Sequence, residues 1–468
     1  MSELPEGWII ASLEDISLKV TDGTHKTPNY LESGVRFISI KNIRPYKPID
    51  WNVYERYIAK EEHAELIKRC HPEKGDIVFP RIGTLGFAKI VDWDDEFSIF
   101  VGLGLVKPNR NIVQSKYLEH YMNSPFVAEY SRSKATGTGR MTLALGDSKK
   151  LPVFLAPLAE QTRIAAKLDK LLAQVDTFKT RIDGIPALLK RFRQSVLAAA
   201  VSGRLTEEWR GGAASSPLSQ PPLVFFERDQ GVAPNGWDWG KLVSLAELES
   251  GHTPRKSVPG YWENGDVPWI SLQDIRAADG KEILETKYMP TMLGIENSSA
   301  RLLPKGTVCF SRDISVGFVT IMGRPMATTQ HFANWVCKDQ LLPKYLMYSF
   351  MAGRDHLLQS GQGSTVKTIY MPALKELRLL LPPIAEQTEI VHRVEQLFVF
   401  ADQLEARVKT ARARIDRLTQ SILAKAFRGE LVPQDPDDEP ASVLLERIKA
   451  QRTAAPKAKR GRRAATSG

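Results

Sequence analysis

The sequence predicts a mixed α/β (α+β) protein made of two tandem copies of one plan. In each copy a folded block is followed by a long helix, and the two helices pair as an antiparallel coiled coil under an internal pseudo-two-fold. Three observations carry this reading. "PLAEQTRI" at 157–164 returns as "PIAEQTEI" at 383–390, and residues 155–205 align with 381–431 at a constant offset of 226 without a gap. A match of that length is internal duplication. Apolar residues in both copies recur in steps of four and three, and each copy follows a block whose short runs read as strands.

The first block spans 1–156 and the second 233–382. "LPEGW" (4–8) answers "APNGW" (233–237), "FISIKNIR" (37–44) answers "WISLQDIR" (269–276), and "GDIVFPRIGTLGFAKI" (75–90) answers "GTVCFSRDISVGFVTI" (306–321). These runs are rich in β-branched and aromatic residues and bounded by Gly and Pro, so they read as strands. "YLEHYMNS" (117–124) and "YLMYSFMA" (345–352) read as short helices.

The long helices are expected over 157–205 and 383–430. The first carries Ile164, Leu168, Leu171, Val175, Phe178, Ile182, Ile185, Leu189, Phe192 and Val196 in one frame. The second carries Ile390, Val394, Leu397, Ala401, Leu404, Val408, Ala411, Ile415, Leu418 and Ile422. A mean spacing of about 3.5 is a coiled-coil seam, and forty residues at about 1.5 Å each make rods of roughly 60 Å. Gly203 and Gly429 are expected to end them. Pro186, in "GIP", should kink or interrupt the first. A linker (206–232) joins the halves. The tail (431–468) is expected to be largely disordered, with one short helix at 441–452 and a basic end, "PKAKRGRR".

Composition narrows the class. The chain has 468 residues, 43% hydrophobic and 25% charged, which is ordinary globular usage. No apolar run reaches the ~18–20 residues of a membrane span. The start, "MSELPEGW", lacks the basic and apolar regions of a signal peptide. Cys70, Cys309 and Cys337 form no CxxC pair, so a reducing cytoplasmic setting without disulfides is expected. The net charge of +10 is uneven. The blocks are nearly neutral, whereas 160–210 carries 10 Lys/Arg against 6 Asp/Glu and 433–468 carries 8 against 5.

Catalytic signatures are missing. A DNA amine methyltransferase would show Asn/Asp-Pro-Pro-aromatic and a Gly-rich cofactor loop, and the chain has neither. "GQGSTVKT" (361–368) has Val366 where a phosphate-binding loop needs Gly. "ETK" (285–287) answers "ERY" (55–57) in the other copy and reads as a solvated strand edge. The eight His residues show no metal-ligand spacing, so no metal site is expected.

The opening "LPEGW", the duplicated "PL.EQ..I" phrase heading each long helix, and the two dissimilar blocks before those helices together resemble the specificity subunits of type I restriction-modification systems (the HsdS family), over nearly the whole chain. The resemblance implies that each block is a target recognition domain reading one half of a bipartite site on double-stranded DNA. The helices would set the gap and dock two methyltransferase subunits. The assembly would methylate adenine N6 and, with motor-nuclease subunits, cleave unmodified DNA. S-adenosylmethionine, ATP and Mg would then belong to the partner subunits, with no cofactor, catalytic residue or membrane contact in this chain. Two rival readings are a self-contained DNA-modifying enzyme and a coiled-coil scaffold that binds protein.

A reader of two different half-sites should share phosphate-positioning residues and differ in base-reading ones. Arg44/Arg276, Lys74/Lys305 and Arg81/Arg312 are shared, as phosphate contacts or fold supports. Base readers are expected in the differing loops. The first block offers Thr24, His25, Lys26 and Asn29, then Thr138 and Arg140. The second offers His252, Arg255 and Lys256, then Gln362, Ser364 and Lys367. Glu160, Gln161, Glu386 and Gln387, in the repeated phrase, are assigned to the helix start or to partner docking. Arg181, Lys190 and Arg407 flank the seam. Lys457–Arg463 is read as a phosphate-attracting or simply solvated terminus.

Overall fold

The computed structural model describes residues 4–211, 222–225, 230–360 and 367–454. The chain divides into two compact units. One comprises Met1–Asp183 with Thr410–Gly468, the other Gly184–Lys409.

In the first unit, four antiparallel strands run in the order Ser17–Asp22, Leu103–Pro108, Ile77–Pro80, Lys89–Ile90. Ile77, Val78 and Phe79 are all buried because the sheet is covered on both faces. A smaller sheet sets Val35–Ile38 between Tyr57–Ile58 and Phe97–Ile99. Ile9–Ser12 pairs with Pro152–Leu155, so the block's two ends meet.

The second unit repeats this plan. Ala246–Ser250, Phe332–Cys337, Val308–Ser311 and Val319–Met322 pair antiparallel in the same order. Glu282–Ile283 is added in parallel at the edge. Asp238–Lys241 pairs with Arg378–Leu381, and Leu223–Val224, from the linker, covers that strand's other side.

The runs at 37–44 and 269–276 are strands only in their first halves. Ser39 and Ser271 each form a reciprocal capping box, with Asn42 and Asp274, so the chain turns into Ile40–Asn42 and Leu272–Ala277. The Ser-x-x-Asn/Asp spacing encodes that switch. The helices expected at 117–124 and 345–352 are Ser115–Met122 and Pro343–Ala352.

The long helices are Leu158–Val201 and Ile384–Ala426. Pro186 does not interrupt the first. It removes one backbone donor, and the helix runs on through it. Gly203 (φ 76°) and Gly429 (φ 75°) follow their ends. In the first unit Lys179 pairs with Asp416 at 2.8 Å and Asp183 with Arg412 at 3.2 Å. In the second, Arg193 pairs with Asp402 at 2.6 Å and Glu405 at 3.0 Å. In the first unit, helix numbers rise on one side as they fall on the other, so the pairing is antiparallel. Phe178 and Leu418, placed in the seam by their spacing, are more than half exposed and half exposed respectively. Beside them, Lys179 and Thr419 take the half-buried positions instead. The stripe drifts because an undistorted helix has about 3.6 residues per turn rather than 3.5.

Each core is closed by the start of its own helix and the end of the other. Ile164, Leu168, Leu423 and Phe427 share the first core. Ile390, Val394, Val196 and Ala200 share the second. Burying each large aliphatic side chain here is worth roughly 1.5–3 kcal/mol.

The tail carries its expected short helix. Ala441–Ala454 is a helix, and Ala441, Leu444, Leu445 and Ile448 are buried in the first core. The Ala441 N–H donates to the Gly7 carbonyl at 2.9 Å. An amphipathic stretch with an apolar face to cover is ordered by that burial. Residues 457–463 lie outside the described residues.

Candidate nucleic-acid interface

The repeated phrases meet. Pro5–Trp8 and Pro234–Trp237 are turns in which the Trp N–H donates to the Pro carbonyl. Each turn has a left-handed third residue, Gly7 (φ 79°) and Gly236 (φ 81°), as a type II turn requires. The turn aims Trp8 Nε1 at Glu160 Oε2, 2.9 Å away, and Trp237 Nε1 at Glu386 Oε2, also 2.9 Å away. Gln161 Nε2 donates to the carbonyls of Ile112 and Ala156 (3.0 and 2.9 Å) while its Oε1 accepts from the Gln114 N–H. Gln387 repeats this with Gln340, Pro382 and Leu342.

All four residues are buried. Their hydrogen bonds run inward, so they fix the helix start to its block. The alternative assignment, a surface that docks a partner, does not fit their burial.

Arg81 is also buried. Its Nη1 donates to Asp22 and its Nε to the Leu143 carbonyl at 3.3 Å. Asp22 opens the loop at 21–30, and Leu143 closes the one at 134–142. One guanidinium therefore staples both predicted reading loops. Asp22 also accepts from Arg69 and lies 3.0 Å from His25 Nε2. Arg81 acts as a fold support, because a cation enclosed by its own protein cannot reach a phosphate.

The second unit keeps the backbone scheme and changes the side chains. As Arg81 N donates to Gly102 and Leu143 N to Arg81, so Arg312 N donates to His331 and Ile369 N to Arg312. Arg312 Nη2 donates to the Gln330 carbonyl at 2.9 Å, and Gln330 Oε1 accepts from Thr253 Oγ1 at 2.7 Å. His331 Nδ1 lies 2.6 Å from Asp313 Oδ1. The loops at 250–257 and 367–369 thus converge on Arg312, which is only partly buried.

Among the described residues, the other predicted readers are exposed, apart from Thr24, which is half-buried. Thr24 Oγ1 accepts from the Lys26 N–H at 3.2 Å, bracing the loop that presents His25, Lys26 and Asn29. Thr138 and Arg140 form the tip of a tight hairpin closed by the Thr136–Thr142 bridge. His252 N–H donates to the Thr328 carbonyl at 2.9 Å, which fixes the start of the loop bearing Arg255 and Lys256. Lys367 Nζ donates to the Leu358 carbonyl at 2.8 Å. Gln362 and Ser364 lie outside the described residues. Of the other shared cations, Lys74 binds Asp94 at 2.8 Å, and Arg276 Nε donates to Ser315 Oγ at 2.8 Å.

One group escaped the sequence reading. Arg36 lies 4.5 Å from the Trp51 ring centre and 5.8 Å from that of Tyr57. Arg56 lies 5.5 Å from Tyr30 and 5.4 Å from Tyr54. Ring stacking orders a guanidinium without using its N–H donors. Tyr30 ends the first reading loop, so this ribbon extends it. The interleaving in "WNVYERY" (51–57) was the available signal.

Among the described residues, no cluster of His, Cys, Asp or Glu could hold a metal, and no helix is long and apolar enough to cross a membrane.

The type I restriction modification DNA specificity domain model matches residues 5–187 and again 234–411. The chain is 32% identical to the type I restriction enzyme EcoKI specificity subunit of Escherichia coli K12, over 97% of each chain. It is 30% identical to the StySPI specificity subunit of Salmonella potsdam over 96% of each. The solved HsdS subunit from Thermoanaerobacter tengcongensis shares the fold, with a TM-score of 0.53 at 20% identity over 92% of this chain and 98% of that one. A chain from work on complex assembly and conformational transition of the type I R-M system gives a TM-score of 0.61 at 19% identity, over 92% and 100%. Two matching domains, each heading a long helix and holding unlike loops on like strand ends, therefore have one reading: the chain belongs to the specificity subunits of type I restriction-modification systems, the non-catalytic components that confer DNA sequence specificity.

Proposed function

We propose that this chain reads an asymmetric bipartite site on double-stranded DNA, one half-site per block, with an unread gap set by the paired helices. Two methyltransferase subunits assemble on it and methylate adenine N6 from S-adenosylmethionine. Motor-nuclease subunits add cleavage dependent on ATP and Mg, and the complex works in the cytoplasm. One observation carries this reading. The two units hold chemically different loops on equivalent strand ends, at Arg81 and at Arg312, by equivalent backbone bonds. Common scaffolding with divergent tips is what a reader of two unlike half-sites requires.

The test is to map modified adenines in a host carrying this chain and its methyltransferase, with wild type and with Arg255→Ala/Lys256→Ala. The expected result is a two-part motif with a constant gap, in which the double variant alters one part alone. A motif altered in both parts or in neither would overturn the assignment of blocks to half-sites.

A further inference from the structure

Three non-glycine residues among those described have positive φ: Tyr46, Asn264 and Ile314. Asn tolerates that region and Tyr46 stacks on His120, but a β-branched residue there is an outlier. Ile314 has φ 54° and is 52% exposed, so no core contact explains it. It centres a three-residue turn in which the Ser315 N–H donates to the Asp313 carbonyl, a rare and strained geometry.

The turn is held from both sides. Asp313 pairs with His331 at 2.6 Å, and Ser315 Oγ accepts from Arg276 Nε at 2.8 Å. The flanking side chains are pinned while Ile314 stays half exposed and outside every hydrophobic core. The matching position of the first block, two residues after Arg81, is Gly83, with φ 86° and open space around it. One block meets the backbone requirement with glycine, and the other accepts the strain to present a sec-butyl group. Strain that the surroundings over-determine marks a working position.

We propose that Ile314 is a specificity-determining residue of the second block, making apolar contact with bases of its half-site. It stands two residues beyond Arg312, on which the loops at 250–257 and 367–369 converge. The chemistry it offers suits a thymine methyl group or an opened base step. The inference rests on the reading that this block recognises DNA.

The experiment uses the assembled methyltransferase with wild type, Ile314→Ala and Ile314→Gly. Alanine keeps the strain and removes the side chain, whereas glycine removes both. Both variants should bind the cognate duplex roughly 5- to 100-fold more weakly, the range of one lost base-pair contact, with unchanged affinity for unrelated DNA. The mapped motif should loosen only in the second half-site. Ile314→Gly should also melt several degrees higher. Replacing thymine by uracil separates the two contacts within the proposal. A wild-type loss matching Ile314→Ala identifies the methyl group, and no loss identifies the base step. Unchanged cognate affinity and motif in both variants would overturn the proposal, as would equal weakening on unrelated DNA or a glycine variant that melts no higher. A wild-type complex without any sequence preference would instead fail the DNA-reading assignment itself.

Discussion

Trp8 donates its indole N–H to Glu160 at 2.9 Å, and Trp237 donates to Glu386 at the same distance. The two carboxylates are nevertheless in different states of satisfaction. Glu386 also accepts from Thr206 Oγ1 at 2.6 Å and from Arg210. Glu160 Oε1 is buried with no partner, and burial raises its carboxyl above the usual glutamate value of 4.5 while Trp8 pulls it back. These carboxylates should therefore answer differently to one substitution. Glu386→Gln strips Arg210 of its counter-charge and should cost about 1–3 kcal/mol. For Glu160, a raised folded pKa means a stabilising contribution present below 4.5 that is lost as pH rises through the folded value. Glu160→Gln should then match wild type in acid and melt above it near pH 8, which thermal unfolding at the two pH values would check.

Arg81 holds Asp22 and Leu143 together. Arg81→Met leaves Asp22, which is almost wholly buried, with Arg69 as its one remaining guanidinium and should cost about 1.5–3 kcal/mol. Because both loops of the first block hang on this residue, recognition should fail in that half-site before the other. Thermal melting and motif mapping of the same variant would show both effects.

Arg36 and Arg56 are ordered by aromatic rings rather than by acids. On the body of a strand and beside it, they suit phosphates better than base edges. Arg36→Gln/Arg56→Gln should weaken cognate and unrelated DNA equally and lower the salt slope by about 1–2, with the motif unchanged. Binding titrations at several salt concentrations would measure it.

The antiparallel pairing fixes which heptads must be removed to test the spacer. Lys179–Asp416 and Asp183–Arg412 show that 177–183 lies opposite 412–418. Deleting both segments removes about 10.5 Å of rise from each helix. The gap in the mapped motif should shorten by about three base pairs at ~3.4 Å each. An unchanged gap would refute the spacer role.

Much of the architecture was legible because it is periodic. The duplication, the long helices and the end glycines follow from spacing that needs no distant partner. The sequence also excluded the methyltransferase motifs and pointed to the unlike loops. It misread the second halves of "FISIKNIR" and "WISLQDIR", where a capping box overrides β propensity.

What only the tertiary structure decided is where side chains spend their bonds. Glu160 and Gln161 look like surface polar residues beside a helix start, yet they are buried because a distant turn, a distant loop carbonyl and a distant loop amide return to meet them. The tail helix is ordered because an exposed apolar face of the first core awaits Leu444 and Leu445. Arg81 and Arg312 share a position in the repeat but differ in role, since only the first block brings a buried carboxylate to that guanidinium. The sequence by itself determined the repeat and the rods, which are local patterns. Tertiary structure decided which cations are taken up by acids and carbonyls of their own fold, because pairing depends on residues tens or hundreds of positions apart.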